Sequence, residues 1–211
     1  MAQIVVTRAL GQETGLVERL REPGHEVVHV PLVAIESLGD DPIDVAAYDW
    51  VVLTSANGAR ELRRRMRGTP TRVAAIGEAT ADAFGGADVV ASTSTQEGLL
   101  AALPESPGRV LFAAAEGARR VLPDAVGADV VALYRTLELE PPAWPAADLV
   151  VLMSPSAARA LARVTRDVPV VSIGPETTRA ALDAGLEVAA EAASSDLDGV
   201  AAAVEDALAA S

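Results

Sequence analysis

The sequence predicts an α/β fold with two similar doubly wound lobes, each built on a parallel sheet that helices cover on both faces. Short runs of Val, Ile and Leu alternate with helical patterns along the chain, which is typical of parallel strands buried on both faces. The chain of 211 residues also repeats itself after about half its length. Such a period is too long for a solenoid unit, so it indicates two copies of one domain-sized fold.

The repeat is visible in three pairs of segments. They are residues 49–62 with 148–161, 76–80 with 173–177, and 24–28 with 127–131. In the first pair, a strand-like run leads in both copies to a serine, Ser55 or Ser154, and then to a helical pattern. Because pockets often lie at interfaces between domains, two copies of one fold favour a functional site between them.

The predicted elements follow this alternation in order. We predict strands over residues 4–7, 26–30, 50–53, 72–76, 88–90, 109–112, 129–132, 149–153, 170–173 and 186–188. Helical patterns fit between many of them, for example over 12–20, 56–66, 95–103, 156–164 and 175–184. The chain therefore supplies ten strands, five for each lobe, as expected of two flavodoxin-like sheets.

Two proline-containing segments, 31–48 and 133–147, decide how the lobes divide the chain. Parallel neighbours in one sheet need a crossover, usually a helix, and the junction between the copies has the helix at 95–103. The two proline-containing segments lack a long helix, and each begins with an extended piece, so we expect the chain to change lobes there. The predicted first lobe is 1–31 plus 141–211, the second lobe is 38–132, and the linker strands, able to pair antiparallel, are 32–37 and 133–140.

The composition excludes several kinds of catalysis. The chain has no cysteine, and all 17 basic residues are arginine, so it has neither a thiol nucleophile nor a lysine for Schiff-base chemistry or a Walker motif. His25 and His29 flank one predicted strand, and their spacing would suit a metal pair only on a helix. G-x-S-x-G and G-x-G-x-x-G motifs are absent. We therefore expect an enzyme here to work without a metal or cofactor.

The charge and hydropathy exclude two kinds of partner. A net charge of −13 argues against nucleic-acid binding, which needs a basic surface. The arginines within 60–67 are interpreted as the solvated side of a helix whose apolar face is Ala59, Leu62 and Met66. No apolar run approaches the ~20 residues of a membrane span, and the first residues show no signal-peptide pattern. We expect a cytoplasmic protein.

Several short motifs, taken in their order along the chain, carry a resemblance. They are Val6-Thr7-Arg8, the two serine-containing loops, the two Ile-Gly-x-x-Thr loops, and Leu133-Tyr134-Arg135-Thr136. In this order the sequence resembles the uroporphyrinogen-III synthase family over nearly its whole length. The resemblance implies a monomeric, cofactor-free cytoplasmic lyase of heme and tetrapyrrole biosynthesis, with two doubly wound lobes that face each other across a cleft.

The resemblance also implies the reaction and the substrate. Enzymes of this family close the linear tetrapyrrole hydroxymethylbilane into uroporphyrinogen III, with loss of water and inversion of the last pyrrole ring. A transient hand-off from hydroxymethylbilane synthase would then be possible.

Candidate site residues follow from the resemblance where positions match. Tyr134 matches the linker tyrosine that is usually proposed to assist departure of the substrate hydroxyl; the alternative is a strand aromatic that only packs. Cleft-lining positions are matched by Thr7, Arg8, Ser55, Thr80, Ser154 and Thr177. Arg8 could instead pair with a nearby acid and fix the end of the first strand.

Four loops lie where a predicted strand ends and a helix begins. They add Asn57, Ser156 and Gly174 to the candidate residues. Free backbone N–H groups and the helix dipole suit such loops to the carboxylates of the substrate, and in open α/β sheets they line the crevice at the strand ends. The alternative is that their Ser, Thr and Asn side chains only cap helices.

One departure from the family favours an alternative function. Where the family commonly has an Arg-Gly pair after the strand at 111–112, this chain has Ala114 and Ala115, followed by Glu116. A lost arginine would weaken substrate binding, or it would indicate a non-catalytic two-lobed ligand-binding or sensory paralogue on the same fold.

Overall fold

The computed structural model describes residues 1–210. The strands are β1 (Gln3–Val6), β2 (Glu26–His29), β3 (Val33–Ser37), β4 (Ile43–Asp44), β5 (Trp50–Leu53), β6 (Met66–Arg67), β7 (Val73–Ala75), β8 (Val89–Val90), β9 (Val110–Ala115), β10 (Asp129–Glu138), β11 (Leu149–Leu152), β12 (Val170–Ser172) and β13 (Val188–Glu191). The helices are α1 (Thr14–Arg21), α2 (Ala56–Arg65), α3 (Glu78–Phe84), α4 (Gln96–Ala102), α5 (Val121–Val126), α6 (Pro155–Val164), α7 (Pro175–Asp183) and α8 (Leu197–Ala210). The α/β fold with mostly parallel sheets, predicted from the alternating pattern, is confirmed.

The chain forms two compact units. Unit 1 combines Met1–Ala34 with the chain from Leu137 onward, and unit 2 is Ile35–Thr136. The chain passes from one unit to the other within β3 and again within β10. Those two strands occupy most of the predicted linker segments 32–37 and 133–140.

Unit 1 holds a five-stranded sheet in the order β13-β12-β11-β1-β2. All its pairs are parallel, and Ile4 of β1 lies between Leu149 of β11 and Val27 of β2. Ile4 belongs to a buried cluster that also contains Leu16 of α1 and Val204 of α8. Because the strands are parallel, the loops that follow them lie at the same edge of the sheet.

Unit 2 repeats this order and adds one strand. Its six-stranded sheet runs β3-β10-β9-β5-β7-β8, in which β10-β9-β5-β7-β8 corresponds to β2-β1-β11-β12-β13 of unit 1. Leu53, Leu62 and Leu133 share one buried cluster, and Phe112 anchors another. The internal repeat of the sequence is thus a repeat of sheet topology.

The extra strand comes from the linker. β10 is one strand of ten residues and includes both the predicted strand at 129–132 and most of the second linker segment. Hydrogen bonds join Leu38 N to Leu133 O at 2.9 Å and Leu139 N to Leu32 O at 2.8 Å. They pair the beginning of each segment with the end of the other, so the two linker segments run antiparallel.

The end of α2 differs from its prediction. The helix ends at Arg65, because Met66 is extended (ψ 145°) and pairs in parallel with Ile43 in a separate two-stranded sheet. Arg65 is only 9% exposed, and its Nε donates to Asp41 O at 2.9 Å. The interpretation of the arginine cluster as wholly solvated is therefore wrong for Arg65. Within residues 1–210, no helix has both the length and the apolar character to cross a membrane.

Candidate functional site

Tyr134 lies on β10 with its ring packed in the core of unit 2. It is 6% exposed and belongs to the same buried cluster as Leu53 and Leu133. Its hydroxyl forms a 2.8 Å hydrogen bond with Ser55 Oγ. Burial raises the pKa of the Tyr134 phenol, and the hydrogen bond with Ser55 opposes that rise. The phenol therefore stays protonated at neutral pH.

Ser55 is held at the junction between β5 and α2. It is the N-cap of α2 in an extended conformation, and its Oγ accepts a hydrogen bond from Gly58 N at 3.0 Å. A Cβ on Gly58 would lie 3.1 Å from Ser55 Oγ and 3.4 Å from Ala113 O. An added Cβ would thus crowd the Ser55 hydroxyl, where the first turn of α2 packs between β9 and the ring of Tyr134.

Unit 1 repeats the serine cap. Ser154 follows β11 and caps α6 by accepting from Ala157 N at 3.2 Å. The second helical residue in each copy also contacts an arginine one turn later: Arg60 donates to Asn57 Oδ1 at 3.2 Å, and Arg159 donates to Ser156 Oγ at 3.1 Å. The cap interpretation of Ser55 and Ser154 therefore holds in the structure.

The three candidate threonines are buried. Thr7 is 0%, Thr80 5% and Thr177 3% exposed. Thr7 Oγ1 donates its hydrogen to Val151 O at 2.8 Å, which fastens the end of β1 to β11. Beside it, the carbonyl oxygen of Arg8 is bonded to His29 Nε2 at 2.8 Å. Thr7 thus fixes the end of a strand, and all three buried threonines offer little surface to a ligand.

Gly174 is the N-cap of α7 and has a counterpart in Gly77, the N-cap of α3. Each faces a serine that the sequence analysis did not single out. A Cβ on Gly77 would lie 3.2 Å from Ser94 Oγ, and one on Gly174 would lie 3.3 Å from Ser195 Oγ. A further repeat, residues 91–99 with 192–200, contains both serines and was the signal that could have revealed them.

The strand ends bring the candidates together within each unit. In unit 2, Ser55 and Asn57 follow β5, Thr80 follows β7, and Tyr134 lies in β10. In unit 1, the candidate residues follow three adjacent strands: Thr7 and Arg8 after β1, Ser154 and Ser156 after β11, and Gly174 and Thr177 after β12. Parallel neighbours place these loops at one edge of each sheet.

Of the two positions that depart from the family, Ala114 lies inside the core and Ala115 is only partly buried. Ala114 is 1% exposed on β9, within the cluster that contains Phe112. The next charged residue, Glu116, donates its backbone N–H to Tyr134 O at 2.7 Å. Among residues 1–210, no group of three or more His, Cys, Asp or Glu side chains is placed to hold a metal ion. His25 and His29 instead contact Glu205 and Glu13.

Comparisons with known proteins agree on one family. A sequence model described as uroporphyrinogen-III synthase HemD matches residues 15–202. A uroporphyrinogen-III synthase from Synechococcus elongatus is 28% identical over 128 residues, which are 52% of this chain and 48% of that protein. The match thus spans about half the length of this relative.

Two crystal structures share the fold. One is a mutant uroporphyrinogen III synthase from the extremely thermophilic bacterium Thermus thermophilus, with a TM-score of 0.64 at 15% identity, and all of both chains is covered. The other is the uroporphyrinogen-III synthetase of Helicobacter pylori, with a TM-score of 0.67 at 16% identity and the same coverage. Because the sequence model covers most of the chain and both units, this chain belongs to the uroporphyrinogen-III synthase family.

Proposed function

We propose that this chain is a uroporphyrinogen-III synthase that converts hydroxymethylbilane to uroporphyrinogen III. The observation that carries the proposal is the family match over residues 15–202, which includes both units and Tyr134. The resemblance of the motifs around Ser55, Ser154 and Tyr134 supports the same reaction.

The proposed reaction needs an acid and a shaped binding site. An electron-rich pyrrole expels its neighbouring hydroxyl readily, so the C–O bond breaks to give an azafulvenium cation and water without a metal or cofactor. The substituted carbon of the last pyrrole ring then attacks this cation and forms a spiro intermediate, which rearranges to the inverted ring. The enzyme contributes mainly orientation, with modest acid assistance.

Tyr134 is the proposed acid. It is protonated at neutral pH because burial raises the pKa of its phenol, and its hydroxyl is the one polar atom of a ring that is otherwise packed in the core. In the proposed step, Tyr134 gives its hydrogen to the departing hydroxyl. The pyrrole carbon loses a proton when the ring closes, which restores the phenol and balances the loss of one water.

The loops at the strand ends are the proposed binding groups for the carboxylates of the substrate. A protein with a net charge of −13 repels such a substrate at long range, so local groups must compensate. The first turns of α2 and α6 offer backbone N–H groups, and each carries an arginine, Arg60 or Arg159, beside its second residue.

The test is incubation of the purified protein with freshly prepared hydroxymethylbilane, followed by separation of the isomers. The type III isomer should exceed the amount in a protein-free control, in which spontaneous closure gives type I. A chelator should leave the yield unchanged. Formation of type I alone by soluble, folded protein would refute the proposal.

The second candidate function is a ligand-binding paralogue without catalysis. The observation that favours it is Ala114, a small core residue where the family commonly has an arginine. Saturable binding of hydroxymethylbilane without formation of type III would favour this candidate.

A further inference from the structure

We propose that Ser55 is a positioning residue for Tyr134, donating its hydroxyl hydrogen to the phenol oxygen so that the phenol hydrogen remains available to the substrate. The catalytic meaning of this inference rests on the proposed function. The hydrogen bond itself belongs to unit 2 and can be measured without substrate.

The hydrogen-bonding capacity of Ser55 allows it to donate to the phenol oxygen of Tyr134 while it caps α2. A serine hydroxyl has one hydrogen to donate and two lone pairs that accept. Ser55 Oγ accepts from Gly58 N at 3.0 Å, and the phenol oxygen of Tyr134 is 2.8 Å away. If Tyr134 were the donor, its hydrogen would be used inside the protein. Donation by Ser55 leaves that hydrogen to a departing hydroxyl.

Both partners are held by the backbone. Ser55 is fixed where β5 ends and α2 begins, and Tyr134 is fixed in β10, whose carbonyl at that position accepts from Glu116 N at 2.7 Å. A Cβ on Gly58 would be 3.7 Å from Tyr134 Cε1, so the first turn of α2 packs against the ring. The serine and the phenol therefore meet with little freedom to separate.

Against the rise that burial causes, the hydrogen bond from Ser55 lowers the pKa of the Tyr134 phenol, which favours its role as an acid. Burial opposes the phenolate that remains when Tyr134 gives up its hydrogen, and the Ser55 bond lowers the pKa of the phenol against that effect. A donor at the phenol oxygen stabilises the phenolate. Ser55 thus eases the transfer as well as holding the group in place.

Unit 1 contains a serine that caps a helix in the same way as Ser55 but has no hydrogen bond to a tyrosine among those described. Ser154 caps α6 with the same extended backbone and a similar bond, to Ala157 N at 3.2 Å, and its described hydrogen bonds include no tyrosine. Capping therefore does not require the phenol. The additional bond in unit 2 is specific to Ser55.

A spectroscopic test uses the fact that the chain has two tyrosines. In a Tyr48→Phe background, Tyr134 is the sole tyrosine, and the ¹³C resonance of its Cζ reports hydrogen bonding and titration. Ser55→Ala should move this resonance at neutral pH and raise the pKa of Tyr134, whereas Ser55→Thr should retain both. Thr95→Ala is the matched control, because Thr95 caps α4 in the same unit through Gly98 N. An unchanged resonance and pKa in Ser55→Ala would overturn the inference.

An activity test then links the bond to the reaction. At saturating hydroxymethylbilane, Ser55→Ala should lower the rate of type III formation about tenfold, the effect of roughly one hydrogen bond. In a Tyr134→Phe background the same change should lower it no further, because Ser55 acts through the phenol. An equal additional loss in that background would contradict the positioning role. Absence of type III formation by the unmodified protein would defeat the proposed function instead, and the Cζ measurement would still decide whether the bond exists.

Discussion

Replacement of Tyr134 by phenylalanine removes one oxygen and tests the proposed acid directly. The ring stays in its buried cluster, and Ser55 keeps its bond to Gly58 N. The free energy of unfolding should fall by only about 0.5–1.5 kcal/mol, the usual contribution of one hydrogen bond. Far-ultraviolet circular dichroism and urea unfolding should therefore show a folded variant.

The effect on rate should be larger than the effect on stability. General acids contribute roughly 10²–10⁴-fold in enzymes, but the leaving hydroxyl is on a strongly activated carbon. We therefore expect Tyr134→Phe to lower turnover by about 10- to 100-fold, below the upper part of that range. The ratio of type III to type I formed by the enzyme should persist, because ring inversion depends on the shape of the site.

The assay is a quenched time course at saturating hydroxymethylbilane, with separation of the isomers and subtraction of spontaneous closure. Because burial raises the pKa of the Tyr134 phenol above its ordinary value near 10, its deprotonation should not lower the rate between pH 7 and about 9. Full turnover in Tyr134→Phe, under conditions where chemistry limits the rate, would refute the acid role. Tyr134 would then be a packing residue of β10.

Three further predictions concern stability. Gly108→Ala should lower the free energy of unfolding, measured in urea, by about 2–3 kcal/mol, because the φ of Gly108 is +77° and an added Cβ would lie 2.3 Å from Asp49 Oδ2. The control is Gly127→Ala, which has a similar φ of +65° but open space around the Cβ and should lose about 1 kcal/mol. Equal losses in the two variants would contradict the close contact at Gly108. Burial raises the pKa of Glu138, but hydrogen bonds from two arginines outweigh it and lower the pKa overall. Glu138→Gln should thus be less stable, by up to about 1 kcal/mol, above pH ~4.5, and the difference should vanish as the pH falls through the lowered pKa; a difference that persists in acid would refute the ionic cause. Unit 2 expressed alone should unfold cooperatively in urea, whereas the N-terminal half of the chain, which holds parts of both sheets, should not, and a cooperative transition in that half would contradict the division.

The sequence predicted the sheets because apolar strands and a long repeat are local signals. The end of α2 was misplaced because Met66 suits a helix by type, and its pairing with Ile43 depends on a segment more than twenty residues away. The prediction divided β10 into a strand at 129–132 and a linker strand at 133–140, whereas the structure has one continuous strand of ten residues. The alanine-rich helix α8 was not singled out, since small side chains give little contrast between its faces.

The sequence predicted which residue types follow each strand, but it did not predict the directions in which their side chains point. A threonine after a strand indicates a hydroxyl near the strand end, yet Thr7 points inward to Val151 O. Likewise, no local pattern shows that the hydroxyl groups of Ser55 and Tyr134 meet, because they are far apart in sequence and come together only through the order of β5, β9 and β10.

The two copies of the fold share the serine cap but differ in the tyrosine that the proposed chemistry needs. Both tyrosines of the chain, Tyr48 and Tyr134, lie in unit 2, so unit 1 has no phenol beside its serine cap. The serine cap, by contrast, occurs in both units. Under the proposed function, one leaving hydroxyl needs one acid, whereas the loops of each unit can bind carboxylates of the substrate. Ser154→Ala should therefore raise KM with little change in kcat, whereas Ser55→Ala should lower kcat, as steady-state rates of type III formation would measure. Equal effects of both substitutions on kcat would mean that the two serines act alike, as helix caps.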